Sequence, residues 1–176
     1  LPRHQHACEQ RAAFLQELAQ GRLPFGGEAM QLQVQTGPRR LVRKEGNTIY
    51  LSLLPGEEAQ QQAYLQNGLR LLAKPFIQAK VAEWAKKTDS AYNQVRVKSQ
   101  KTKWGSCSSK RNLNFNWHLC FLPLHLIDYL MIHELMHLRE MNHSARFWAE
   151  VARYYPDYKA AEKELGQYGW LNRLFD

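Results

Sequence analysis

Residues 131–148 read "MIHELMHLREMNHSARFW", and the rest of the chain is interpreted around them. His133, Glu134, His137, Glu140 and His143 fall within eleven positions of a stretch whose other residues are largely apolar. Ile132, Leu135, Met136 and Leu138 predict a well-buried helix here. Four residues apart on such a helix, His133 and His137 present their imidazoles on one face, about 40° apart around the axis. Two neutral imidazoles so placed can each give a ring nitrogen to one metal ion. Glu134 points beside that ion, where it can hold a water without being a ligand. In random order, a chain with this many His and Glu residues would contain the HExxH spacing about 0.02 times. The competing explanation is a helix whose two histidines are satisfied by neighbours. Unpaired polar side chains on an apolar helix are costly, and a metal would satisfy them.

HExxH is the arrangement of zinc hydrolases, and a catalytic zinc takes three protein ligands while leaving a place for water. If the helix ran on, His143 would sit about 80° round from His133 and face away from the metal. Asn142 tolerates the left-handed conformation at a helix C-terminus, and Ser144 is a good N-cap for a following helix. "NHS" therefore reads as a turn that swings His143 back over the site. Glu140 is the rival third ligand, because it stays on the face of the two histidines if the helix persists.

Further out, strands and helices mix. Ala7, Phe14, Leu15 and Leu18 predict a short amphipathic helix over residues 4–20 that stops at Gly21. "LQVQ" and "RLVRK" flank Gly37-Pro38, and "TIYLSLL" follows Gly46-Asn47, so residues 30–55 read as a β-rich section. Residues 57–88 read as helix, with Pro75 marking either a kink or a break between two helices. "NQVRVKSQKTKW" alternates as a strand does. "NLNFNWHL" alternates more cleanly, with Leu113, Phe115, Trp117 and Leu119 on one face. Pro123 opens a helix running to about Met141, and two more, over roughly 144–154 and 157–166, close the chain. The expected fold class is α+β. The expected division is an N-terminal helical extension, 1–22, and a single domain, 23–176, whose strands and helices over 94–166 carry the site.

Composition narrows the function classes. The chain of 176 residues is 44% hydrophobic, enough for a real core. No run approaches 18 apolar residues, so no membrane span is expected, and "LPRHQHACEQ" lacks the apolar middle of a secretion signal. Cys8, Cys107 and Cys120 are an odd set without CxxC spacing, which argues against a disulfide framework and a cysteine-ligated zinc knuckle. A reducing, cytoplasmic location is the expectation. The net charge of +8 and pI near 9.5 attract phosphates or acidic surfaces and say nothing about fold.

"TKWGSC" and "NLNFNWHLCFLPLHLIDYLMIHELMHLREMNHSARFW" together resemble the YgjP-like metallopeptidase family and are more distantly similar to the WLM and SprT-like zinc proteases. The likeness runs from about Leu32 to Leu165 and leaves residues 1–20 unaligned. It implies a small zincin-like α+β fold, with an antiparallel or mixed sheet packed against the HExxH helix. It implies that His133, His137 and His143 bind one zinc ion per chain and that Glu134 is the general base. It also implies that the strand around Trp104 borders the cleft, which makes Lys103, Trp104, Gly105 and Ser106 the substrate-binding candidates. Lys103 stands where the family often has Arg.

The expected activity is a zinc-dependent hydrolase, a metallopeptidase in which Glu134 activates a zinc-bound water. Peptide or protein is the expected substrate. The alternative starts from residues 95–111, which hold Arg96, Lys98, Lys101, Lys103, Lys110 and Arg111 and no acid. Such a strip could grip the phosphates of a nucleotide or nucleic acid, giving a nucleotide phosphohydrolase or a DNA-associated protease. A developing oxyanion needs a further donor, for which His118, Tyr154, Tyr155 and Tyr168 are candidates. Trp117, Phe147 and Trp148 suit core packing better than base stacking, and Trp104 is the exception for which a stacking role stays open.

Overall fold

Leu65, Leu69, Ala73, Ile77, Val81 and Ala85 recur at four-residue intervals and all are buried. That stripe binds residues Gln61–Lys87 into one helix, α2. The computed structural model describes residues 2–175. In it α2 runs unbroken through Pro75, where the sequence predicts a kink or break. Proline removes the donor to the Leu71 carbonyl. Pro75 and Leu71 both lie on the exposed face, so water reaches that carbonyl and the helix continues.

The chain is α+β, with two small mixed sheets. After helix α1 (Pro2–Ala19), the first sheet takes β1 (Arg22–Phe25), β2 (Glu28–Thr36), β3 (Leu41–Glu45) and β4 (Thr48–Leu53) in the order β1-β2-β4-β3. β4 lies parallel to β2 and antiparallel to β3. β1 was not expected. It forms a hairpin with β2 across Gly26 and Gly27, whose φ of +66° and +84° suit a tight two-residue turn that side chains resist. The Gly-Gly doublet after "RLPF" was the signal for it. Leu23, Phe25, Met30, Ile49, Leu51 and Leu53 turn inward from this sheet. Phe14 of α1 meets Phe121 and Trp170 edge-on, with ring centroids 5.4 and 5.8 Å apart, so α1 packs on the same core.

The second sheet holds β5 (Gln94–Lys98), β6 (Gly105–Cys107) and β7 (Asn112–Asn116) in the order β5-β7-β6. β7 is parallel to β5 and antiparallel to β6. Both long strand patterns are cut short. The one read through Trp104 ends at Lys98, and the alternation read through Leu119 ends at Asn116. There the buried Asn116 amide donates to Gln100 O (2.6 Å) and Asn172 Oδ1 (2.8 Å), while its Oδ1 accepts from His118 N. These bonds turn the chain into a 3-10 segment, Trp117–Phe121.

Helix α3 (Leu124–Met136) crosses the centre of the molecule and is buried on nearly every side. Asp128 ties it to α2, accepting from Trp84 Nε1 and Lys80 Nζ, each at 2.7 Å. α4 (Ala145–Tyr154), α5 (Tyr158–Leu165) and a 3-10 segment, Gly166–Arg173, follow. Among the described residues no helix is long and apolar enough to cross a membrane.

Candidate metal centre

The end of α3 sets the site. The helix stops at Met136, not near Met141 as expected, with His137 as its C-cap at φ −63°, ψ −17°. Leu138 N and Arg139 N each bond three residues back, to Leu135 O and Met136 O at 3.0 Å, which tightens the last turn. Glu140 N still bonds four residues back, to Met136 O at 3.1 Å, the last such bond before the chain turns away. The left-handed exit expected at Asn142 is absent, since the non-glycine residues with positive φ among those described are Asp89 and Arg111. Instead the Asn142 carbonyl accepts from Ser144 N at 2.8 Å. Ser144 caps α4, its Oγ accepting from Phe147 N at 3.3 Å. His143, held between these two turns, points back at α3.

His133 Nε2 and His143 Nε2 lie 3.1 Å apart. One ring nitrogen from each of His133, His137 and His143 falls within 4.8 Å of the others, an arrangement that could hold a metal ion. The Glu140 carboxylate has no part in this group, but its main-chain carbonyl does. A carbonyl only accepts, so His137 Nδ1–H donates to Glu140 O at 3.1 Å, which leaves Nε2 with the lone pair. Tyr129 OH lies 3.4 Å from His133 Nδ1. The buried Phe147 ring is a floor under all three imidazoles, with centroids 4.3, 4.8 and 5.0 Å from His137, His143 and His133. Trp148 stacks on His143, and Tyr158 stacks on Trp148. Burial, helped by the other two imidazoles, holds His133 down at about 3, and burial lowers His137 as well. Both are neutral near pH 7 and offer lone pairs.

Glu134 completes the cluster from α3. It is 5% exposed, and its Oε2 has no hydrogen-bond partner among the described residues. Burial pushes its carboxyl up to about 8, against an opposing pull from the Lys103 ammonium. A carboxylate so placed is costly until a cation or donor meets it. Glu134 and the imidazoles open on a cavity of about 290 Å³, whose other wall is β6 with Lys103. Gly105 lets that wall approach, since a Cβ there would stand 2.8 Å from Glu134 Oε1. Ser106 Oγ accepts from Asn114 Nδ2 at 3.3 Å.

Of the four substrate-binding candidates, Lys103, Gly105 and Ser106 line the cavity and Trp104 does not. Trp104 packs against the core, and its carbonyl accepts from Asn116 N. Sequence reasoning missed Cys107 and Met141 as lining residues. Cys107 lies two along a strand from Gly105 and so on its face, a signal that was present. Burial raises its thiol, with Glu134 adding to the effect and Arg111 opposing it. None of His118, Tyr154, Tyr155 or Tyr168 lines this cavity. His118 sits against Trp117, Phe121 and Phe175, and Tyr168 lines a separate cavity beside α1. The basic strip 95–111 is also divided. Lys103 faces the metal cleft, Arg96 and Lys98 lie on β5 across the sheet, and Arg111 bonds to Ala91 O. These four residues do not line one common cavity.

The family described as YgjP-like, metallopeptidase domain, matches residues 2–168 and so takes in the N-terminal residues that the motifs leave unaligned. No curated protein matches the chain. Two solved structures are similar over about half of it. The metallopeptidase zymogen abylysin of Pyrococcus abyssi is 22% identical, with a TM-score of 0.46, over 51% of this chain and 90% of its own. The metallopeptidase zymogen jannalysin of Methanocaldococcus jannaschii is 25% identical, also with a TM-score of 0.46, over 52% of this chain and 94% of its own.

Proposed function

The chain belongs to the YgjP-like metallopeptidase family, and from that premise we propose that it hydrolyses peptide bonds with one zinc ion held by His133, His137 and His143. Glu134 is the general base. The observation that carries this reading is the buried Glu134 oxygen, without a hydrogen-bond partner, beside three converging imidazole nitrogens. The residues fit the ion. Neutral imidazoles are good zinc donors, and the 3.1 Å separation of the Nε2 atoms of His133 and His143 is close to the edge of a tetrahedral nitrogen site, roughly 3.4 Å. The Glu140 carbonyl fixes the tautomer of His137.

When bound, zinc supplies a Lewis acid that polarises the scissile carbonyl and lowers the pKa of water from about 15.7 to about 7. The chain supplies the rest. Glu134 takes a proton from the attacking water and passes it to the leaving amine nitrogen. Phe147, Trp148 and Tyr158 form an aromatic wall that fixes the imidazoles and keeps water from behind them. Among the described residues β6 pairs only with β7, so its other edge offers main-chain groups to an extended peptide beside the cleft. Lys103 is the one Lys or Arg lining the cavity and donates to the developing oxyanion. The substrate is a peptide or protein segment, and the protein works in the cytoplasm.

Metal analysis combined with Glu134→Gln tests this. We expect one zinc per chain in both proteins, and peptidase activity about 10²- to 10⁴-fold lower in the variant, since the amide keeps the shape of the acid and cannot accept the proton. Equal activity in the two would overturn the assignment.

A further inference from the structure

We propose that the groove between α2 and the outer edge of β5 binds an extended, acidic polypeptide segment, which adds to the sheet as a strand. Among the described residues β5 pairs with β7 alone, so one of its edges is open. A cavity of about 650 Å³ lies along it. All four successive residues 95–98 line that cavity. A strand's face contributes every second residue, so an unbroken run means that the groove follows the edge itself, where main-chain donors and acceptors lack a ladder partner. The opposite wall is one face of α2, with Arg70, Leu71 and Lys74 at helical spacing.

The chemistry of the walls specifies the occupant. Arg70, Lys74, Arg96 and Lys98 converge on the groove, no acidic residue lines it, and none of the four makes an ion pair among the described residues. Leu71 is 68% exposed in their midst, and Val95 and Val97 are half-buried. An extended peptide carrying acidic and apolar residues in alternation meets all three demands. Its backbone completes the ladder, its carboxylates meet the four cations, and its apolar side chains cover Leu71. A polynucleotide would meet only the cations, because the groove has no aromatic ring on which bases could stack. β5 and β6 are opposite edges of one sheet. A segment held at β5 therefore leaves the cavity beside β6 open, and the groove serves as a docking site remote from the chemistry.

Fluorescence polarisation of the full chain with a labelled peptide of alternating Glu and Val tests the proposal. Saturable binding that weakens as salt rises is expected, with none for the Lys-Val counterpart. Arg96→Glu with Lys98→Glu, or Arg70→Glu with Lys74→Glu, should each cost about tenfold in affinity. The same peptide with methylated backbone nitrogens should lose about as much on the wild-type protein, since it has no ladder donors. Lack of saturable binding, or variants that melt like wild type and keep full affinity, would remove the groove from consideration. Undiminished binding of the methylated peptide would overturn strand addition. A charge-matched single-stranded oligonucleotide that binds more tightly and displaces the peptide would make the groove a polyanion site instead. The charge-reversal variants leave the β6 edge and the metal-site residues untouched, so the loss they cause is read separately from the peptidase assignment.

Discussion

A Cβ added at Gly105 would stand 2.8 Å from both Cγ and Oε1 of Glu134, a separation that forces one of the two to shift. Gly105→Ala therefore displaces the carboxyl proposed as general base without touching an imidazole. We expect zinc content to be unchanged and kcat to fall on the order of 10²-fold, as a misplaced catalytic group costs. Wild-type turnover by the variant would show that the carboxyl does not depend on that contact. His143 and Glu140 form a second contrast. His143→Ala removes one of three donors and should lower zinc affinity by about 10²-fold or more, as read by competition with a chelator. Glu140→Ala should be mild, because the group that holds His137 is the main-chain carbonyl, which the substitution keeps. The pairing of His133 with His137 was legible in the sequence, since helical spacing fixes it. The part played by Glu140 was not, because it depends on where α3 stops, and no residue from 137 to 142 announces the tightened turn that ends it at Met136.

Glu57 shows how one carboxylate joins elements. It accepts from Arg40 Nε (2.8 Å), Leu54 N (3.0 Å) and Tyr64 OH (3.2 Å), which ties the approach to β3 and the exit of β4 to the first turns of α2. The Arg40 guanidinium is the largest cause of its carboxyl being held at about 2, below the ordinary 4.5. A carboxyl depressed in the folded state contributes stability above its unfolded pKa and loses it as pH falls through the folded one. The contribution is therefore nearly complete above about pH 5 and is lost progressively down to about pH 1. Urea unfolding at about pH 6 and about pH 2.5 should show a shallower acid loss for Glu57→Gln than for wild type, and parallel losses would refute the staple. Elements of this fold were legible where one periodicity persisted, as in α2. They were not where side-chain bonds override it, as at Asn116, whose amide ends β7 while Trp117 and Leu119 stay buried in a different geometry. β1 was missed because four residues are too few for a period to register, although Gly26-Gly27 marked its turn.

The whole molecule places its cavity between β6 and the α3–α4 segment, and the sheet nearer the N-terminus supports this arrangement through the shared core. The wall opposite, Lys103 and the β6 residues Gly105, Ser106 and Cys107, comes from well before α3 in the chain, yet His133, His137 and His143 all lie within eleven residues of one another. That locality survives unfolding. A denatured chain still carries the three imidazoles on one short, flexible segment and, on the proposed ligand set, should still chelate the ion. A ligand stabilises a fold only by the difference between its affinities for the native and denatured chains; with no binding to the denatured chain, saturation at 100 times Kd would contribute about 2.7 kcal/mol. Thermal melts across a zinc titration should therefore fall short of this limit. The shortfall should match the zinc affinity of a synthetic peptide spanning residues 131–148, and a peptide with no measurable affinity would refute the argument. On the proposed ligand set, refolding in excess zinc should start from an already metallated segment, with the ion held by the helix's own residues before α3 exists.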